Sequence, residues 1–385
     1  MECSPIPEMP YRKFSDRFHE KTVAARVPVN GTLEMTYRCN LNCVHCYCNL
    51  PANDPKARLD ELSTEEILDI IDQIADKGCL WLLVTGGECL LRKDFFDIWI
   101  YAKKRGLLLT LFTNGTLITP EIADFLTEWP PFSVEITLYG VTSNTYESVT
   151  RVPGSYARCM KGIELLLDRN MPLKLKTMVL TLNQHELGDM QQYAQELGIE
   201  FRFDAMVNSR LDCGKDPCQF RIDPSEVVRL DMEDEKRLEV WKEICQKFLG
   251  SDKTDELFVC GAGVTTFNIN PCGRLQVCGM VTEPYWDLKK GTFSEGWEKL
   301  FPTVREQKPT DSYICGDCEL YSLCAQCPGW ALTENNNAEL PVEYLCRITH
   351  ERAKALGLRK NNLAELALRF GSDLADPIEQ SHRNS

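Results

Sequence analysis

The chain has 385 residues, of which 43% are hydrophobic and 26% charged, with a formal net charge of −14. That is enough chain for two globular domains, and the acidic balance excludes a nucleic-acid backbone as partner, because such partners require a basic surface. The N-terminus lacks an apolar signal region and no apolar run nears the roughly 18 residues of a spanning helix, which predicts a cytoplasmic protein without a membrane segment.

From residue 31 onward, short apolar runs alternate with helical patterns. The strands are expected at 31–37, 80–85, 107–113, 133–138, 173–180 and 199–204. The first helix starts at Ser63, with Glu66 three residues later as a capping box, and buries Ile67, Ile70, Ile71 and Ile74 at helical spacing. The next runs from Asp94 to Arg105 and stops at Gly106. Thr119 caps a third, with Pro120 in its first turn. Two more cover 155–169 and 185–197. Strict alternation predicts an α/β fold with a parallel sheet, either a partial (β/α)6 barrel or a doubly wound sheet, with ligand chemistry at the C-terminal ends of the strands. A charged helix is expected over 225–249, and another near 360–370 before a polar tail. The expected divisions are an N-terminal extension (1–30), a core (31–212), a helical bridge (213–259), a loop-rich cysteine region (260–350) and a C-terminal helix and tail (351–385).

Cysteine is the outlier, with 19 residues against 5 histidines. In a large chain of this kind, clustered thiols point to metal or iron–sulfur ligation rather than to disulfides. Cys39, Cys43 and Cys46 form C-x3-C-x2-C on the loop after the first strand. Three thiolates leave one iron of a [4Fe–4S] cluster open to a small molecule. A zinc site completed by Cys48 or His45 is the alternative; otherwise Cys48 is a bystander.

CNLNCVHCY, with Tyr47 after the third cysteine, resembles the signature of the radical S-adenosylmethionine (SAM) superfamily. The resemblance continues at Gly86-Gly87-Glu88 after the second strand and at Thr113-Asn114-Gly115 after the third. It implies a partial TIM-like barrel and one SAM-binding [4Fe–4S] cluster. The Gly86–Glu88 turn would hold the methionyl amine. Its glycines would let backbone approach the ligand, and the Glu88 carboxylate would accept the ammonium's hydrogen bonds. Asn114 would lie near the cofactor, Ser133, Glu135 or Thr137 would reach the ribose, with Asn183 a weaker choice, and Arg151 would meet the carboxylate. Glu135 could equally pair with a core lysine. The implied chemistry is reductive cleavage of SAM to a 5′-deoxyadenosyl radical that abstracts a substrate hydrogen.

The second cysteine region reads Cys260-x12-Gly273-x4-Cys278, then Cys315-x2-Cys318-x5-Cys324-x2-Cys327, then Cys346. It resembles the SPASM domain of peptide- and protein-modifying radical SAM enzymes, with x2 where the family spacing has x3 before Cys327. The resemblance implies two auxiliary [4Fe–4S] clusters. Cys315, Cys318, Cys324 and Cys346 would hold the farther one, and Cys260, Cys278 and Cys327 the nearer. Cys272 or an open site would complete the nearer one; Cys213, Cys218 and Cys245 lie upstream. Cys3, Cys79, Cys89 and Cys159 are expected to be incidental. Gly279 stands where the sulfatase-maturing branch has an aspartate base, so a base would have to come from Asp204, Glu283, Tyr285 or outside the protein.

These features predict oxidation or crosslinking of a ribosomally made peptide or small protein. A flavodoxin or ferredoxin would supply the electron. Only about 30 residues precede the first strand, so a separate leader-binding protein or a core groove would recognise the peptide. Modification of a tetrapyrrole or other small molecule is the alternative. A non-catalytic iron–sulfur or zinc protein ranks below both.

Overall fold

The computed structural model describes residues 11–48, 50–248 and 256–358. The expected helix at 360–370 lies outside the described residues.

The chain divides into two compact units. The first comprises residues 1–222, 255–312 and 327–340. It opens with helix α1 (Tyr11–Ala24), within the expected extension. It then alternates β1 (Asn30–Glu34), α2 (Thr64–Asp76), β2 (Trp81–Thr85), α3 (Phe95–Lys104), β3 (Leu108–Thr113), α4 (Pro120–Glu128), β4 (Ser133–Thr137), α5 (Ser155–Leu167), β5 (Leu173–Met178), α6 (Leu187–Glu196) and β6 (Glu200–Asp204). These six strands are parallel and lie side by side in chain order. A doubly wound sheet would reverse direction at its centre. Sequential order is the winding of a partial barrel, with one row of helices on one face.

Local chemistry sets the helix ends. Ser63 and Glu66 form the reciprocal capping box of α2, and Thr119 accepts from the Ile122 amide ahead of Pro120. The four isoleucines of α2 are at most 2% exposed, and burying each contributes about 1.5–3 kcal/mol. Ile71 packs with Leu33, Leu82, Phe95 and Trp99 on the helix side of the sheet. Strands β3 and β5 alternate buried and half-exposed residues. The half-exposed set, including Phe112 and Lys176, lines the concave face.

Three further strands, β7 (Thr266–Ile269), β8 (Arg274–Gln276) and β9 (Trp286–Asp287), extend the sheet beyond β1. β7 pairs parallel with β1 and covers an edge that would otherwise present unpaired backbone groups. β8 and β9 follow antiparallel. Strands this short gave no usable period in the sequence.

The second unit comprises residues 223–254, 313–326 and 341–385. The single helix expected over 225–249 is two, α7 (Pro224–Glu233) and α8 (Glu235–Phe248). Asp234 is extended, and its carboxylate accepts from the Arg237 amide at 3.0 Å, starting a new helix there. Helix α9 (Glu343–Ala355) carries Cys346. Among the described residues, no helix is long and apolar enough to cross a membrane.

Candidate active site

The loop after β1 carries Cys39, Cys43 and Cys46, and it is fastened at several points. Arg38 makes a bidentate pair with Glu61 at 2.8 and 2.9 Å. Arg92 donates to the Met35 and Leu62 carbonyls. The Asn42 and Val44 amides bond the Thr150 and Val149 carbonyls, each at 3.0 Å. The loop is therefore held by backbone on both sides.

The three thiols are electrostatic neighbours of one another. Burial pushes the Cys39 thiol up to about 12 and the Cys43 thiol well above its usual value. A bare thiolate is thus disfavoured here, and a bound cation would have to stabilise it. Donors already face the sulfurs. The Leu41 amide lies 3.4 Å and Asn114 Nδ2 3.7 Å from Cys39 Sγ, and the Tyr139 hydroxyl bonds Cys43. Among the described residues, no three His, Cys, Asp or Glu side chains converge on a single-ion site. A four-iron cubane is wider than one ion, so its thiolates stand further apart than those of a zinc site. His45 packs its ring edge on Tyr139 and is kept neutral, its value lowered by burial to about 4. Cys48 is 8% exposed and hydrogen-bonds with Cys46.

The Gly86–Glu88 turn is zipped onto this loop. The Gly87 amide donates to the Thr36 carbonyl at 2.6 Å and the Glu88 amide to the Arg38 carbonyl at 2.9 Å. A Cβ at Gly86 would lie 2.3 Å from the Thr36 oxygen, and one at Gly87 2.3 Å from the Arg38 oxygen. Both glycines serve this backbone-on-backbone approach rather than only an approach to a ligand, and Gly86 also has φ +132°. The Glu88 carboxylate does not point to an open site either. It is fully buried and accepts from Thr113 Oγ1 at 2.9 Å, the Asn114 amide at 2.8 Å and the Leu90 amide at 3.2 Å. Its role in the fold is to tie the ends of β2 and β3 together.

Other expected residues are placed as follows. Asn114 Nδ2 bonds Asn40 at 2.9 Å beside Cys39. Ser133 is 5% exposed and its hydroxyl has no partner among the described residues. Glu135 pairs with Lys176 at 3.5 Å and with Arg202. Lys176 lies over the Phe112 ring, and burial pulls its ammonium down to about 7. Arg151 is exposed, with φ +58°, at the end of the short helix Ser143–Thr150. Asn183 is closed onto its own loop through the Leu180 amide and the Met178 carbonyl. Asp204 accepts from the Met206 amide, while Glu283 and Tyr285 lie beside Arg274.

One residue escaped the sequence reading. Glu34, the last residue of β1, is 3% exposed. Its carboxylate accepts from Tyr47 at 3.2 Å, Tyr37 at 3.4 Å and Asn268 at 3.3 Å. It joins the cysteine loop to β7, a partner that sequence order hides. Burial raises the Glu34 pKa above its ordinary 4.5, so its stabilising contribution is complete below that value and is lost as pH rises through the raised one. Glu34→Gln should therefore gain stability relative to wild type as pH rises above 4.5. Anaerobic thermal unfolding across pH checks this; a pH-independent difference would contradict it.

The Radical SAM superfamily profile matches residues 33–194. Residues 33–194 form a radical SAM domain. The radical SAM chain is 28% identical to the AdoMet-dependent heme synthase of Methanosarcina barkeri over 76% of its own length and 89% of that protein. It is 29% identical to the mycofactocin maturase MftC of Mycobacterium ulcerans, over 77% and 82%. Its fold is similar to that of Streptococcus suis SuiB bound to precursor peptide SuiA, with a TM-score of 0.65, 17% identity and coverage of 90% and 84%. A radical SAM enzyme uses SAM and a [4Fe–4S] cluster, and three thiols on one strand-end loop with facing donors fit that pair. The 19 cysteines fit a C-terminal cluster domain of the SPASM type.

The remaining thiols fall into two groups. Cys260, Cys278 and Cys327 belong to the first unit and are electrostatic neighbours. Amides of Gly329 and Trp330 face the Cys327 sulfur, and the Met280 amide faces Cys278. Cys315, Cys318, Cys324 and Cys346 belong to the second unit, where Cys346 neighbours the other three. Cys272 has Arg274, Asp60, Lys289 and Glu61 as its charged neighbours.

Proposed function

We propose that the chain oxidises or crosslinks a ribosomally made peptide or small protein. In this reading Cys39, Cys43 and Cys46 hold the SAM-binding cluster. Cys260, Cys278 and Cys327 hold one auxiliary [4Fe–4S] cluster, with Cys272 or an open site as its fourth position. Cys315, Cys318, Cys324 and Cys346 hold another. The observation that carries the proposal is the division of these seven later thiols into two groups of mutual neighbours, one in each unit. The similarity to a maturase and to a precursor-bound enzyme supports it.

When bound, the reduced cluster supplies one electron that cleaves SAM. The chain's own residues position the reactants. The Gly86–Glu88 backbone and Tyr47 flank the methionyl end, Asn114 lies beside Cys39, and Arg151 is available to the carboxylate. The unpartnered Ser133 hydroxyl is available to the ribose, and the Glu135–Lys176 pair shapes the concave face. The substrate would give up a hydrogen atom to the adenosyl radical, one electron to an acceptor that the auxiliary-cluster thiols would hold, and one proton to a base or to solvent. It leaves two hydrogens poorer. A flavodoxin or ferredoxin is the proposed reductant, and a separate leader-binding protein is a proposed partner.

The test incubates the chain anaerobically with SAM, reductant and short peptides encoded beside its own gene, and in parallel with a carboxylated porphyrin. A peptide lighter by two hydrogens, with stoichiometric 5′-deoxyadenosine, supports the proposal. A modified porphyrin and unchanged peptides would favour the second reading, which the heme synthase similarity supports. Paired Cys315→Ala and Cys346→Ala substitutions should remove about four irons, abolish product and leave SAM cleavage intact; loss of SAM cleavage would contradict the assignment.

A further inference from the structure

The second unit buries one guanidinium against its thiols. Arg352, on α9, is 2% exposed. Its Nη1 donates to the Leu323 carbonyl at 2.9 Å, the residue before Cys324. Its Nη2 donates to Asp231 Oδ2 at 2.8 Å. The Trp241 ring centre lies 3.8 Å from its guanidinium carbon. Among the described residues its buried Nε has no partner. Two other buried polar atoms of the second unit also lack one among the described residues: Ser322 Oγ, two residues before Cys324, and His350 Nδ1, one helical turn after Cys346. Thr349 lies between Cys346 and Arg352 on α9, and its hydroxyl faces the Cys324 sulfur.

An orphaned donor on a buried cation is costly, and the Arg352 charge acts on the Cys324 thiol, which points to an acceptor that the described residues do not supply. Asp231 is 1% exposed and is shared between Arg352 and Arg237, the latter at 2.6 Å. Trp241 excludes water from one face, so the Arg352 charge is poorly screened.

We propose that Arg352 is a positioning and tuning residue for an iron–sulfur cluster held by Cys315, Cys318, Cys324 and Cys346. Its Nε–H faces the cluster's sulfur, and its charge raises the cluster's reduction potential. This rests on the ligand assignment under Proposed function. Reduction adds one electron to the cluster and no proton; the substrate-derived radical loses that electron. A buried cation favours the more negative, reduced state, which makes this centre an electron acceptor.

The test is a redox titration followed by electron paramagnetic resonance on the full, anaerobically reconstituted chain, with iron counted first. Arg352→Gln should keep the iron and lower the equilibrium constant for one-electron reduction of one cluster at least tenfold, which is 59 mV. Arg352→Lys should restore most of the shift, because it keeps the charge. If burying Asp231 without Arg352 impairs folding, Arg352→Gln with Asp231→Asn removes one charge of each sign, and its potential should fall between those of the wild type and Arg352→Gln. Full iron with an unchanged potential in Arg352→Gln, or in the double variant where the single one does not fold, would overturn the proposal, as would iron loss in a folded double variant. Failure of the ligand assignment reads differently: Cys315→Ala with Cys346→Ala would then lose no iron.

Discussion

Cys43→Ala reduces 5′-deoxyadenosine formation from SAM to background, and iron falls by about four per chain. The loop is held by Arg38–Glu61, Arg92 and the Asn42 and Val44 amides, none of which involves the thiol. The substitution therefore leaves the barrel folded. It removes one of three thiols that a SAM-binding cluster needs, while the groups around Cys278 and Cys346 stay intact. Retention of wild-type SAM cleavage by the variant would show that the cluster uses another thiol, and Cys48, hydrogen-bonded with Cys46, would then be the one to substitute.

Glu88→Ala produces the largest loss of stability of any single substitution considered. It orphans the Leu90 and Asn114 amides and the Thr113 hydroxyl. Each orphaned buried donor costs about 1–3 kcal/mol, so three sum to about 3–9 kcal/mol, with the part-buried Leu90 and Asn114 amides at the low end, against a total stability of about 5–15 kcal/mol. Glu88→Gln should fall between. The Leu90 amide bonds Oε1 and the Asn114 amide bonds Oε2, and a glutamine offers only one oxygen. Anaerobic denaturant unfolding gives the order wild type, Gln, Ala. A loss below about 1 kcal/mol for the Ala variant would contradict the staple role.

The alternating elements of residues 31–204 were legible because strand and helix periods differ and because Ser63, Thr119 and Gly106 carry the end signals of their helices. The site's first loop was legible because its three thiols are close in sequence. What stayed hidden depends on tertiary pairing. Glu34 looks like an ordinary strand residue until β7 arrives from more than two hundred residues away with Asn268. The grouping of the later thiols was expected only from the resemblance to the SPASM domain; spacing alone would put Cys327 with Cys324, three residues away, whereas it neighbours Cys278 in the first unit. Glu88 shows the converse limit. Its motif was recognisable, but only the Thr113 and Asn114 contacts reveal that its carboxylate holds protein rather than facing a ligand.

The central claim is that three separate thiol groups hold three iron–sulfur clusters. Mössbauer spectroscopy and iron counting on the anaerobically reconstituted chain test it most directly, with the Cys39→Ala, Cys43→Ala and Cys46→Ala triple variant alongside. The account predicts about twelve irons in the wild type and about eight in the variant, all as cubane clusters. Stoichiometric zinc, or a wild type with about four irons that the triple variant loses entirely, would contradict it.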